Sequence, residues 1–167
     1  EEKYRSIVTK LKTKYRKTNR EYQKHKNMYD DMQEAIELQL ENIEKNFLDF
    51  EKVMDKNEYS EVVKVVKALD TMIDHISIVV EETPDILLMA NQLIPKRIKE
   101  IKDTTKEMTD NSYPIEYLNI DYNIKESEKN IKKILDKVKL LNLEDCMFEL
   151  KTILDYLDSL FVDFEKE

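Results

Sequence analysis

Two seams of apolar residues, each repeated 84 residues further along the chain, constrain this sequence more than any other feature. Their positions step alternately by four and three residues, which places one side chain per turn on one helix face. A repeat that runs through the whole chain predicts a linear array of helical units, each in contact mainly with its neighbours. The first seam and its copy are Ile36, Leu40, Ile43, Phe47, Phe50 and Met54, then Ile120, Ile124, Ser127, Ile131, Ile134 and Val138. The second seam and its copy are Val62, Val66, Leu69, Ile73, Ile76 and Val80, then Cys146, Leu150, Ile153, Leu157, Leu160 and Phe164.

Composition supports long helices. The 167 residues include no glycine, no tryptophan and three prolines, and 38% of them are charged. Residues that favour helices fill the exposed positions as well, which is typical of coiled coils and helical bundles. A chain without glycine has no glycine-rich phosphate loop or dinucleotide fingerprint, so these nucleotide-binding motifs are excluded.

The pattern predicts six helical segments and one clear loop at residues 111–117. We therefore expect an all-α fold of two antiparallel three-helix bundles, residues 1–83 and 84–167, arranged end to end as an elongated rod. At about 1.5 Å of rise per residue, such a rod approaches roughly 75 Å. The first segment covers about residues 3–26, and the second runs to about 56 from a soft boundary at 26–30, where Asn27 or Asp30 caps a new helix or the helix bends. The others cover about 60–82, 84–110 and 119–141, with the sixth following a turn at 142–144.

Two prolines complicate the middle of the chain. Pro84 either starts a helix or kinks a continuous one, so residues 60–110 form two helices or one long kinked helix. Pro95 falls inside the fourth segment and removes the donor that would bond the carbonyl of Asn91. The apolar face predicted for this segment consists of Leu87, Asn91, Ile94, Ile98, Ile101, Thr105 and Met108.

Charge is distributed unevenly along the chain. Residues 1–26 carry ten Lys and Arg against three Glu, a net of +7, while residues 27–167 carry 18 against 33, a net of −15. The basic residues alternate with apolar ones and form the outer face of an amphipathic helix. A solvated face, an acidic protein partner, and a lipid or nucleic-acid surface are the alternatives for this segment.

No arrangement of residues indicates catalysis or metal binding. His25 and His75 belong to different helices, and neither has the Glu three residues before it that a di-iron bundle requires. Cys146 lies on an apolar seam and is expected to be a small buried hydrophobe. The sequence therefore predicts neither an enzyme nor a cofactor, and it assigns no residue to a partner contact.

The aromatic residues of the first segment fit a core rather than a nucleic-acid surface. Tyr4, Tyr15 and Tyr22 follow the helical apolar spacing, whereas a base-stacking platform would expose them. No apolar stretch approaches the roughly 20 residues needed to span a bilayer. The chain opens on an already helical pattern, so we expect a piece of a longer protein.

The stretch around the prolines resembles the EzrA septation-ring regulators of Gram-positive bacteria, and the likeness continues through nearly the whole chain. The residues that carry it are 83–88 (Thr-Pro-Asp-Ile-Leu-Leu), 93–101 (Leu-Ile-Pro-Lys-Arg-Ile-Lys-Glu-Ile), 112–120 (Ser-Tyr-Pro-Ile-Glu-Tyr-Leu-Asn-Ile) and 140–145 (Leu-Leu-Asn-Leu-Glu-Asp). The chain departs from the family pattern at four positions. Thr104 and Ser112 stand where the family has glycine, Tyr117 replaces a histidine, and Arg97 replaces a glutamine.

The resemblance implies spectrin-like three-helix repeats in a membrane-tethered protein on the cytoplasmic face of the division septum, and it favours the long kinked helix. Such proteins bind the tubulin-like GTPase FtsZ, restrain misplaced ring assembly and link the ring to cell-wall synthesis. The family's N-terminal membrane anchor is not in this sequence, so we expect an internal fragment. The alternatives are a generic cytoskeletal or membrane-surface adaptor that uses the basic helix 3–26, and an enzyme with a metal in the bundle core.

Overall fold

The structure is a computed structural model, and it describes residues 2–111 and 119–165. Every element of regular structure in those residues is helical, which confirms the all-α prediction. A 3₁₀ segment, Lys26–Met32, precedes α2, and a π-helical turn, Met89–Leu93, precedes α4. The six α-helices are α1 (Glu2–Lys24), α2 (Gln33–Asp55), α3 (Tyr59–Leu88), α4 (Ile94–Asp110), α5 (Ile120–Lys139) and α6 (Cys146–Glu165).

The chain divides into two compact units. The first contains Glu1–Pro84 together with Lys139–Leu141, and the second contains Asp85–Val138 together with Asn142–Glu167. Of the loop predicted at residues 111–117, all but Asn111 lies outside the described residues.

The core of the first unit follows the predicted seams. Helix α2 buries all six seam positions from Ile36 to Met54, and α3 buries all six from Val62 to Val80. A fully buried aliphatic or aromatic side chain contributes about 1.5–3 kcal/mol, so one apolar face per helix supplies most of the stabilisation. Helix α1 contributes Val8, Leu11, Tyr15, Thr18 and Tyr22.

The copied seams form the core of the second unit. Helix α5 buries all six of its seam positions, from Ile120 to Val138. Helix α6 buries five of its six, while Ile153 is half-buried. Cys146 is fully buried at the start of α6, as the sequence predicts.

The prediction that Leu87 and Asn91 face the core is wrong. Ile86 and Ala90 are buried instead, whereas Leu87 is half-buried and Asn91 is exposed. The π-helical turn explains the shift, because each of its turns takes more residues than an α-helical turn. Its characteristic bond runs from the Ile94 N–H to the Met89 carbonyl, five residues back. The proposed register, which assumed a regular α-helix, is therefore displaced by one residue before Ile94.

Helical residues continue from Tyr59 to Asp110 without a break at Pro84, as expected for one continuous helix. Pro84 lacks the N–H that would bond the Val80 carbonyl. Tyr29, in the 3₁₀ segment, supplies a replacement, because its hydroxyl donates to the Val80 carbonyl oxygen at 2.7 Å. A tertiary hydrogen bond thus substitutes for the missing helical one.

The turns between helices use left-handed backbone without glycine. Asp30, Asn57, Asn119 and Asp145 have φ between 44° and 61°, a region that short polar side chains tolerate better than other residues. Leu141 is the exception, with φ of 61° and a buried side chain. Its carbonyl oxygen lies 2.8 Å from the Nε2 atom of His75 in α3, a contact that holds this turn in the first unit.

Candidate interaction surfaces

The residues that could carry chemistry are spread through the helices. His25 is exposed at the end of α1, and His75 is used in the contact with Leu141. Burial raises the pKa of the Cys146 thiol, whose sulfur lies 3.6 Å from the Asn142 carbonyl oxygen. Within residues 2–111 and 119–165, no group of three or more His, Cys, Asp and Glu side chains is arranged to hold a metal ion.

Tyr15 and Tyr22 are core residues of the first unit, and their hydroxyls are hydrogen-bonded. Tyr15 and Tyr22 are buried, as the sequence predicts, and Tyr4 is half-buried. The Tyr22 hydroxyl donates to Glu37 Oε2 at 2.7 Å, and Lys26 Nζ lies 3.2 Å from the same oxygen. These two contacts, Tyr22 first, lower the pKa of Glu37, while burial raises the pKa of Tyr22. The buried rings of Tyr15 and Tyr22 are therefore not available to stack on a base.

Helix α1 presents a stripe of lysines to solvent. Lys3, Lys10, Lys17 and Lys24 recur every seven residues, and all four are exposed. None of them forms an ion pair in the described part of the chain, unlike the neighbouring Lys14, which pairs with Asp74 at 3.0 Å. This lysine stripe is a positively charged surface that is accessible to an anionic partner.

The apolar face of α1 is already occupied. Val8, Leu11 and Tyr15 lie in the core of the first unit. A helix that lies in a membrane interface buries its apolar face among the headgroups and acyl chains, and α1 cannot do so while this unit is folded. Any contact between α1 and a membrane is therefore limited to electrostatic attraction, which salt screens.

A groove of about 440 Å³ lies between α4 and α5 in the second unit. Its floor consists of apolar side chains from the π-helical turn and both helices, and its rim carries three lysines and one glutamate. We call it the α4–α5 groove; it is lined by Ala90, Pro95, Ile98, Lys99, Lys102, Glu128, Ile131, Lys132 and Leu135.

Two other grooves are less suited to a single class of ligand. One, between α5 and α6, includes Lys137, but the Nζ atom of this lysine already donates to the Glu144 carbonyl at 2.8 Å. The other, in the first unit, places Glu21 and Glu81 beside its basic residues, so its charge is mixed. The α4–α5 groove combines an apolar floor with a mainly positive rim.

Sequence reasoning did not identify this groove. Lys99, Lys102 and Lys132 appear in the sequence as ordinary exposed helix positions, and their common location depends on how α4 packs beside α5. Pro95 was the available signal, since it predicts an irregular helix at the point where the groove begins.

None of the described helices combines the length and the apolar character needed to cross a bilayer. The lysine stripe and the three grooves are charged or concave features of the described surface.

The matches to known proteins cover this chain along its whole length. Residues 1–167 match the family model described as the septation ring formation regulator EzrA. This chain is 23% identical to the septation ring formation regulators EzrA of Bacillus licheniformis and of Geobacillus sp. (strain WCH70), and 21% identical to that of Bacillus subtilis (strain 168). These alignments cover 98–100% of this chain and 29–30% of the relatives, so the chain spans less than a third of their length. No solved structure matches the chain. Since the family model covers the sequence from end to end, this chain belongs to the EzrA family of septation ring formation regulators.

Proposed function

We propose that this chain is part of a cell-division scaffold that binds FtsZ, restrains aberrant septal-ring assembly and links the ring to cell-wall synthesis. The observation that carries the proposal is the match of residues 1–167 to the EzrA family. The chain covers about 30% of its curated relatives, so the activity of the whole proteins comes to it as part of this proposal. We place its site of action at the cytoplasmic face of the septal membrane, with anchoring supplied by another part of the full-length protein.

We further propose that residues 1–83 and 84–167 are spectrin-like three-helix repeats. Three helices of each half, α1–α3 and α4–α6, bury one apolar face apiece, which is the pattern that such a repeat requires. The elongated rod expected from the sequence stays a prediction, and small-angle X-ray scattering measures it. A rod gives a distance distribution with a long tail, whereas a collapsed pair of bundles gives a symmetrical one.

The mechanism proposed is non-enzymatic. A scaffold changes the behaviour of a polymer when its affinity differs between polymer and free subunit, because it then shifts the equilibrium between them. Each tenfold difference in affinity shifts that equilibrium by about 1.4 kcal/mol. A spacer made of helical repeats also holds its partners at a set separation along the ring.

Co-sedimentation with FtsZ assembled in GTP tests the proposal. The whole chain is the appropriate sample, because Lys139–Leu141 belongs to the first unit and a cut between the halves would remove it. We expect saturable pelleting with polymer and none in GDP. A chain that stays in the supernatant at every concentration would contradict FtsZ binding by this segment.

The lysine stripe favours a second candidate, an adaptor that uses α1 on an anionic membrane surface. Vesicles of phosphatidylcholine with phosphatidylglycerol test it against the triple variant Lys10→Glu, Lys17→Glu, Lys24→Glu. The second candidate requires vesicle binding that weakens in salt and is lost in the triple variant. Equal binding by wild type and variant, or no binding by either, rules it out.

A further inference from the structure

We propose that the α4–α5 groove is a docking site for an acidic amphipathic peptide segment of a partner protein. The segment seats an apolar side chain on the groove floor and places carboxylates beside the lysines of the rim. The proposal does not rest on FtsZ being a partner, because it concerns a class of segment that any protein can present.

The floor of the groove provides the apolar seat. Ala90 is small, and it lies in the π-helical turn, where the helix is wider than a regular α-helix. Ile98 of α4 and Ile131 of α5 line the floor with 6% and 8% of their surface exposed, and the half-buried Leu135 and the exposed Pro95 offer the larger apolar contact area. A volume of about 440 Å³ lies in the range of roughly 300–1,000 Å³ typical of ligand sites.

The rim supplies the charge that selects the occupant. Lys99 and Lys102 stand on α4 and Lys132 stands on α5, so cations flank the floor on both sides. Lys132 forms no ion pair in the described part of the chain, while Lys99 reaches Asp103 and Lys102 reaches Glu128, each only at 3.9 Å. Exposed pairs of this kind contribute about 0–1 kcal/mol, so a partner carboxylate readily replaces Glu128.

The two helices that form the groove are weakly basic as a whole. Helices α4 and α5 together carry eleven Lys and Arg against eight Asp and Glu. The charge of these helices therefore favours an acidic segment, while the apolar floor favours a segment with an apolar face. A helix with apolar residues at i, i+3, i+4 and i+7 and acidic flanks fits this combination, since helix-in-groove recognition uses that spacing.

The probe is a fluorescein-labelled designed helix with leucines at i, i+3, i+4 and i+7 and glutamates at the flanking positions. Its control carries lysine in place of every glutamate. The proteins are the wild-type chain, the variant Lys99→Glu with Lys102→Glu, and a matched variant, Lys133→Glu with Lys151→Glu, which reverses two charges in the same unit outside the groove. Circular dichroism establishes that all three have the same helix content, and fluorescence anisotropy measures binding.

We expect the wild type to bind the acidic probe and not the basic one. The groove variant should lose about tenfold or more in affinity, equivalent to about 1.4 kcal/mol, while the matched variant stays within about twofold. In nitrogen–proton spectra, the amide shifts caused by the probe should concentrate at Ala90, Ile98 and Ile131. Affinity that falls equally in both variants, or shifts that concentrate on α1 or α6, would overturn the assignment.

Vesicles of phosphatidylcholine with phosphatidylglycerol form the last arm. If the groove variant loses vesicle binding while the acidic probe binds neither protein, the occupant is a membrane surface and the peptide proposal fails. FtsZ pelleting and probe binding are separate measurements, so either can fail without the other.

Discussion

Tyr29 and Pro84 form a residue pair whose coupling can be measured. The Tyr29 hydroxyl satisfies the Val80 carbonyl that Pro84 leaves without a helical donor. We expect Tyr29→Phe to lower the free energy of unfolding by about 1–3 kcal/mol, because a buried carbonyl loses its hydrogen bond. In a Pro84→Ala background residue 84 regains an N–H, so the same substitution should cost about 1 kcal/mol less. Urea unfolding of the four proteins gives both values.

Tyr59→Phe is the matched control for this cycle. Its hydroxyl bonds Asn57 Oδ1 at 3.0 Å on the exposed surface, so its removal should change stability by no more than about 0.5 kcal/mol. Equal costs for Tyr29→Phe in the wild-type and Pro84→Ala backgrounds would contradict the proposed substitution of one hydrogen bond for another.

The buried tyrosines Tyr15, Tyr22 and Tyr29 make the stability of the first unit sensitive to alkaline pH. Burial, with a smaller contribution from Glu21, raises the pKa of Tyr29 from 10.0 to about 12, and burial also raises the pKa of Tyr15 and Tyr22. A group whose pKa is higher in the folded state contributes stability below its unfolded pKa and loses it as pH rises through the folded value. We therefore expect the free energy of unfolding to fall between pH 10 and pH 12.

Urea unfolding at a series of alkaline pH values checks this expectation. Tyr29→Phe should show a shallower fall than the wild type, while Tyr59→Phe should follow the wild type. A Tyr29→Phe profile parallel to that of the wild type would mean that Tyr29 does not contribute to the alkaline loss.

At the scale of the element, the π-helical turn Met89–Leu93 determines which residues of the segment before α4 are buried. Ala90 is 2% exposed, whereas Asn91, the position that a regular apolar spacing assigns to the core, is exposed. We expect Ala90→Asp to destabilise the chain by about 3 kcal/mol or more, because it buries an unpaired charge. Asn91→Asp should change stability by no more than about 0.5 kcal/mol. Urea midpoints of the two variants compare them directly, and the reverse order would restore the register predicted from the sequence.

The helices themselves were predictable because burial follows a simple period. All the seam positions of α2, α3 and α5 are buried, and each of these seams is read from steps of four and three residues alone. The period does not report a π-helical turn, so the positions of Ile86 and Ala90 could not be deduced. Pro95 indicated an irregularity there without giving its kind.

The α4–α5 groove was beyond sequence reasoning for a different reason. Lys99 and Lys132 are separated by more than thirty positions in the sequence, and only the packing of α4 beside α5 brings them to one rim.

The turns were also hard to locate exactly from the sequence, since no glycine marks the positions with left-handed backbone. Among the described residues, Asn or Asp occupies four of these left-handed positions and Leu141 occupies the fifth.

At the scale of the whole molecule, we expect the two units to unfold separately on either side of Pro84, although the helix passes through this residue unbroken. If the first unit unfolds, the remaining helix can begin at Pro84, because proline is well tolerated at the first helical position. Thr83 then stands at the cap position and Asp85 in the first turn, both favourable at a helix start. The second unit should therefore stay folded when the first is destabilised.

Ile43→Ala tests this separation, since Ile43 is fully buried in α2 of the first unit. The substitution should cost about 2–5 kcal/mol there. We expect native-state hydrogen exchange to record that loss for the slow amides of α2, while those of α6 change by no more than about 0.5 kcal/mol. Ile134→Ala, in α5 of the second unit, is the matched control and should give the opposite pattern. Equal losses in α2 and α6 for either variant would mean that both units unfold together, and that Pro84 does not act as a helix start.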